Sequence, residues 1–132
     1  MYTNLCMSLR ASPITIPAAN RGGNLVMLKS GNLHSYWDSR IGTGETDRFL
    51  NQSAATIQGR HPKPDRIDMS PETWVKESFE LRRRVYGFTG IGTEPSPAVL
   101  SDQYSLNART TAFARAAIAG FRLAQFLKDR LR

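Results

Sequence analysis

At 132 residues, 40% hydrophobic and 22% charged, the chain fits one soluble domain with a modest core, and nothing in its length calls for two. No run approaches the roughly 18 apolar residues that span a bilayer, and the first residues lack the basic-then-apolar pattern of a signal peptide, so the sequence as written reads as cytoplasmic. Eighteen Lys and Arg against eleven acids give a formal charge of +7, which draws polyanions such as nucleic acid or acidic lipid; plain solubility, or a basic face toward another subunit, is the ordinary alternative. The single cysteine, Cys6, excludes an internal disulfide framework and a Cys-rich zinc site, so a metal would have to be held by His and carboxylate.

In chain order, residues 1–20 show no period, and Ser12-Pro13 with Pro17-Ala18-Ala19-Asn20 reads as irregular structure. Arg21-Gly22-Gly23-Asn24 follows as a glycine turn, then Asn24 to Lys29 as a short strand-like or extended apolar piece closed by Ser30-Gly31-Asn32. The segment His34 to Asp38 starts a helix. On a helix, positions four apart are neighbours at about 5–6 Å between Cβ atoms, so the His34 imidazole and the Asp38 carboxylate share a face and could meet one metal ion at about 2 Å each. The pair is a candidate zinc half-site; read without further context, such a pair is more often a surface ion pair or a capped core histidine.

Residues 42–68 form a loop-rich excursion of polar residues, glycine and proline, with a short helix possible from Asp47 to Ile57. Gly42-Thr43-Gly44 lacks the later glycines and preceding strand of a nucleotide fingerprint. Asn51-Gln52-Ser53 is a glycosylation sequon that matters only on secretion, and His61 in its proline-rich loop reads as solvated.

Ser70-Pro71-Glu72 predicts a helix start, with a capping hydroxyl, proline at the first position and an acid in the first turn; Gly87 supplies the stop. Between them Trp74, Val75, Ser78, Phe79, Arg82, Val85 and Tyr86 trace an apolar stripe edged by Arg82-Arg83-Arg84, a charge run that reads as a wet face or a phosphate track. The last helix is expected within Ser101 to Arg132, with Phe113, Ala117, Gly120, Ala124, Leu127 and Leu131 on one face, widened by Ile118, Phe121 and Leu123. With no internal repeat, the fold class is all-α with little sheet. Tyr36 and Trp37 read as packing residues, with base stacking as the alternative.

Four blocks in this order, Arg21-Gly22-Gly23-Asn24, Asn32-Leu33-His34-Ser35-Tyr36-Trp37-Asp38, Trp74-Val75-Lys76-Glu77-Ser78 and Ala119-Gly120-Phe121-Arg122-Leu123-Ala124, resemble the zinc-dependent single-strand-specific nucleases of the S-one/P-one type from about Arg21 onward. The resemblance implies the C-terminal part of a helical, phospholipase-C-like tri-zinc fold. It implies zinc as cofactor, single-stranded DNA or RNA as partner with no membrane, hydrolysis to 5′-phosphorylated products, and a secreted or periplasmic family setting. Oligomeric state stays open. Its ligand motif matches His34 and Asp38, so these two are carried over as ligands of one metal.

The family's other ligands, a terminal Trp, further His and Asp, and an Asp-x-His-Gln-Pro-Leu-His motif, are not visible here. Met1-Tyr2-Thr3-Asn4-Leu5-Cys6-Met7 requires ATG, TAY, ACN, AAY, CTN or TTR, TGY and ATG. Read one base earlier, these bases permit Asp-Val-His-Gln-Pro-Met/Leu-His. In that frame Pro17-Ala18-Ala19 can encode Gly-Gly, and loss of one base near Asn20 restores phase. The expectation is therefore an out-of-frame head over residues 1–19 and a C-terminal portion of a zinc nuclease domain over 20–132. Two ligands leave a tetrahedral set incomplete, so the isolated chain is expected to be inactive and poorly folded. Two other readings remain: a non-catalytic basic helical module that binds nucleic acid or a partner, and a related zinc phospholipase.

Overall fold

The computed structural model describes residues 21–88 and 96–131, so the irregular or out-of-frame head expected over 1–19, Cys6 included, lies outside the described residues. Four helices carry the fold: α1 (Leu33–Asp38), α2 (Asp47–Arg60), α3 (Pro71–Val85) and α4 (Asp102–Arg130). No strand occurs among the described residues, which agrees with the all-α expectation. The apolar piece after Asn24 makes only isolated bridges, Met27 to Asn32 and Leu28 to Ala98.

Each helix starts where a side-chain oxygen is available to the first orphan amides. Asn32 caps α1 by accepting from the Ser35 amide at 2.9 Å, Thr46 caps α2 from the Phe49 amide at 3.2 Å, and Ser101 caps α4 from the Tyr104 amide at 3.1 Å. Ser70 caps α3 with Pro71 at the first position, as expected. The start of α2 is where it was expected, but the helix runs three residues further, through Arg60, and ends on His61. Gly42 and Gly44 have a packing role: a Cβ at either would come within 2.5 Å of the Phe49 ring.

The core is small. Val26 and Leu33 are its fully buried large side chains, joined by the Leu33 amide donating to the Val26 carbonyl at 2.9 Å, and Ala98, Ala108, Phe113 and Ala117 complete it. Around it Tyr104 gathers Tyr36, Trp37 and Phe88, with ring centroids 6.1, 6.3 and 5.5 Å away, pairs each contributing about 0.5–1.5 kcal/mol beyond burial.

The apolar stripes expected on the two long helices pack only in part: Phe113 and Ala117 of the expected α4 face are buried, and Trp74 and Val85 on α3 are half-buried. On α3, Val75 and Phe79 are exposed; on α4, Leu123, Leu127 and Leu131 are exposed, while Ala108, Thr111, Phe113, Ala117 and Arg122 are buried. The physical reason is that α3 meets α4 through charge. Arg122 lies 5.2 Å from the Trp74 ring, donates from Nε to the Asp68 carbonyl at 3.0 Å, and grips both oxygens of Glu77 at 2.8 and 3.0 Å. Arg115 adds a 2.6 Å bond to the same carboxylate. These cations hold the Glu77 carboxyl at about 2, the Arg122 bond being the largest cause.

Candidate metal half-site and family membership

One side of α1 is buried and the other is available for chemistry. Leu33 anchors the first turn in the core. Tyr36 donates its hydroxyl to Ser105 Oγ at 2.9 Å, and Trp37 donates Nε1 to the Tyr104 hydroxyl at 3.0 Å, which in turn donates to the Val85 carbonyl at 2.6 Å. Both aromatics thus serve packing, as expected. Burial, as the leading cause, pushes the Tyr104 phenol up to about 12. The helix is thereby fixed to α4 by its Leu33-Tyr36-Trp37 side, leaving His34 and Asp38 exposed on the other.

The expected pair comes together. His34 Nε2 stands 3.4 Å from Asp38 Oδ2. Two donors of a tetrahedral zinc, each at about 2.0–2.1 Å, stand roughly 3.3–3.4 Å apart, so the separation suits a shared cation. On the far side of the ring, His34 Nδ1 is 3.1 Å from the Gly22 carbonyl. A carbonyl only accepts, so the hydrogen bond to Gly22 puts a proton on Nδ1 and leaves Nε2 as the ring nitrogen that faces Asp38. That orientation is the one that metal-binding histidines commonly take from a backbone acceptor.

The Arg21–Gly23 turn supplies this carbonyl. Arg21, Gly22 and Gly23 have φ of 48, 66 and 94°, the left-handed region where glycine carries no penalty. A Cβ on Gly23 would stand 3.2 Å from the His34 amide nitrogen and 3.4 Å from Leu33 Cβ, so the turn lies directly against the start of α1. Sequence reasoning recognised a glycine turn but missed this carbonyl as the group that orients the imidazole; a glycine pair just upstream of a candidate ligand is the signal that could have found it.

The donor set fits zinc in kind and separation but not in number. Among the described residues no three His, Cys, Asp or Glu side chains come together as a metal site, and His61 does not join the pair. His61 ends α2 instead, its amide donating to the Ile57 carbonyl at 2.9 Å.

A model of the S1/P1 Nuclease family matches residues 12–132. The chain belongs to the S1/P1 nuclease family. All four sequence blocks, the Gly22–His34–Asp38 arrangement and the Glu77–Arg122 pair fall within the matched residues. Membership gives the chain a nuclease lineage in general, and the family is zinc-dependent. No curated protein and no solved structure matches the chain. No helix among the described residues is long and apolar enough to cross a membrane.

Proposed function

We propose that this chain carries one half of a zinc site belonging to a phosphodiesterase that cuts single-stranded DNA or RNA to 5′-phosphorylated products. The observation that carries the reading is the His34 geometry: Nδ1 committed to the Gly22 carbonyl at 3.1 Å and Nε2 aimed at Asp38 Oδ2 across 3.4 Å. His34 and Asp38 would hold the ion. Zinc bound there supplies charge shielding for a phosphate and a lowered pKa for a coordinated water.

What the chain's own residues contribute is placement. Gly22 fixes the tautomer and the ring plane, Asp38 supplies the anionic donor one turn on, and Leu33 with Trp37 keeps both on the outer face of α1. The basic surface, +7 overall, favours a polyanionic substrate. Completion of a tetrahedral set requires donors beyond these two, so hydrolysis depends on additional ligands.

Histidine side-chain nitrogen NMR tests the assignment, because the chain has two histidines, His34 and His61. Added zinc is expected to perturb His34 Nε2 and spare Nδ1 and His61, and D38A is expected to weaken the perturbation about tenfold or more. A zinc response confined to His61, or one indifferent to D38A, overturns the reading.

A further inference from the structure

The end of α3 and the first turns of α4 enclose a cavity of about 520 Å³ lined by Arg83, Arg84, Trp37, Tyr104, Gln103 and Asn107. Its chemistry is unlike that of the neighbouring basic residues. Arg82 is occupied, stacked 3.6 Å from the centre of the Phe79 ring and donating to the Phe79 carbonyl at 2.8 Å. The Arg83 and Arg84 side chains have no hydrogen-bond or ion-pair partner among the described residues, and both residues line the cavity, Arg84 also lining a second one beside Glu77 and Glu80.

The opposite wall is aromatic and amide. Trp37, half-buried against Tyr104 with its Nε1 already given to the Tyr104 hydroxyl, also lines the cavity. Gln103 donates Nε2 to Asn107 Oδ1 at 2.9 Å, which leaves the Gln103 oxygen and the Asn107 amide as an acceptor and a donor side by side. Gly87 also lines the cavity, and a Cβ there would collide with the Arg83 carbonyl, so the chain turns out of α3 on a residue without a side chain. Trp37 also belongs to α1, three residues after His34 and one before Asp38. Through Trp37 the cavity and the half-site share the helix α1.

We infer that this cavity is a nucleotide subsite for the strand flanking the bond cut at His34 and Asp38. Arg83 and Arg84 take its phosphates, the Trp37 ring supports a base, and the Gln103–Asn107 pair meets the polar edge of that base. Two free guanidinium groups beside an aromatic face and a paired amide suit a nucleotide better than a free anion, which would leave the aromatic wall unused. The inference rests on the single-strand reading above.

Anisotropy of a short fluorescein-labelled oligodeoxythymidylate, measured with the full chain in excess EDTA, tests binding apart from cleavage. R83Q/R84Q is expected to weaken binding tenfold or more and to flatten the salt slope by about 1.4, two phosphates at roughly 0.7 each, with R83K/R84K restoring most of the affinity. In a W74F background, where Trp37 is the remaining indole, the oligonucleotide should quench its emission and an abasic strand of equal length should not. R83Q/R84Q binding like the parent, or losing melting temperature alone, overturns the subsite while leaving the zinc response at His34 to stand. An unmodified chain that binds duplex DNA or anionic vesicles as tightly as the oligonucleotide overturns the single-strand reading and the subsite with it.

Discussion

Arg122 donates to both oxygens of Glu77, at 2.8 and 3.0 Å, and so joins the Trp74-to-Ser78 block on α3 to the Ala119-to-Ala124 block on α4. Two sequence blocks lying more than forty residues apart thus form one contact. The pair is bidentate, and the Arg122 side chain is 8% exposed, so the bond is shielded from water on the arginine side.

The depressed Glu77 carboxyl makes the α3–α4 contact acid-sensitive. Its value falls from the ordinary 4.5 to about 2, so the folded state binds fewer protons than the unfolded one in between. The stabilisation is fully present above about 4.5 and is lost as pH falls toward about 2. Urea midpoints measured from pH 7 downward should decline through that window in the parent chain and much less in E77Q. At pH 7, E77Q should cost about 3 kcal/mol, because it leaves the Arg122 charge buried without its partner.

Removing the Tyr104 hydroxyl deprives the Trp37 Nε1 of its acceptor and the Val85 carbonyl of its donor. Y104F should therefore cost about 1–3 kcal/mol, read as a melting shift, and should alter Trp37 emission. With the phenol raised to about 12, its folded-state stabilisation is intact below pH 10 and is lost between about 10 and 12. An ultraviolet titration should show one tyrosine ionising late in the folded chain.

Alanine at Gly23 should act on the metal half-site without touching either donor. With φ at 94° and a Cβ 3.2 Å from the His34 amide, G23A should cost about 1–3 kcal/mol and should reduce the zinc response at His34. G31A is the control: its φ of 83° carries similar strain, but nothing lies within 4 Å of its Cβ, so the zinc response should persist.

Alanine in place of His34 or Asp38 should barely change stability. Their side chains are 49% and 69% exposed, and an exposed pair contributes about 0–1 kcal/mol. Melting temperatures of H34A and D38A should match the parent in EDTA, and zinc should raise the parent's melting temperature more than theirs.

The helix starts were legible because a cap is a local event: Ser70-Pro71-Glu72 and Ser101 announce themselves within a few residues. The His34–Asp38 spacing was legible for the same reason. The packing faces were legible only in part, at Phe113 and Ala117 of α4. The moment of a stripe such as Val75, Phe79 and Tyr86 assumes that apolar area decides which side is inward, whereas here Arg122 and Glu77 decide it across forty-five positions. The Gly22 acceptor was equally out of reach, since a backbone carbonyl has no letter in the sequence and only the left-handed run through Gly23 aims it at the ring.

The division of α1 into an anchoring side and a ligating side has an evolutionary consequence. Six residues make too short a helix to persist alone, so its shape is maintained by Leu33 in the core and the Trp37 bond to Tyr104 rather than by the ligands it displays. A copy of this gene could lose its chemistry while keeping its melting curve, and selection for a folded product would go on preserving the scaffold beneath an abandoned site.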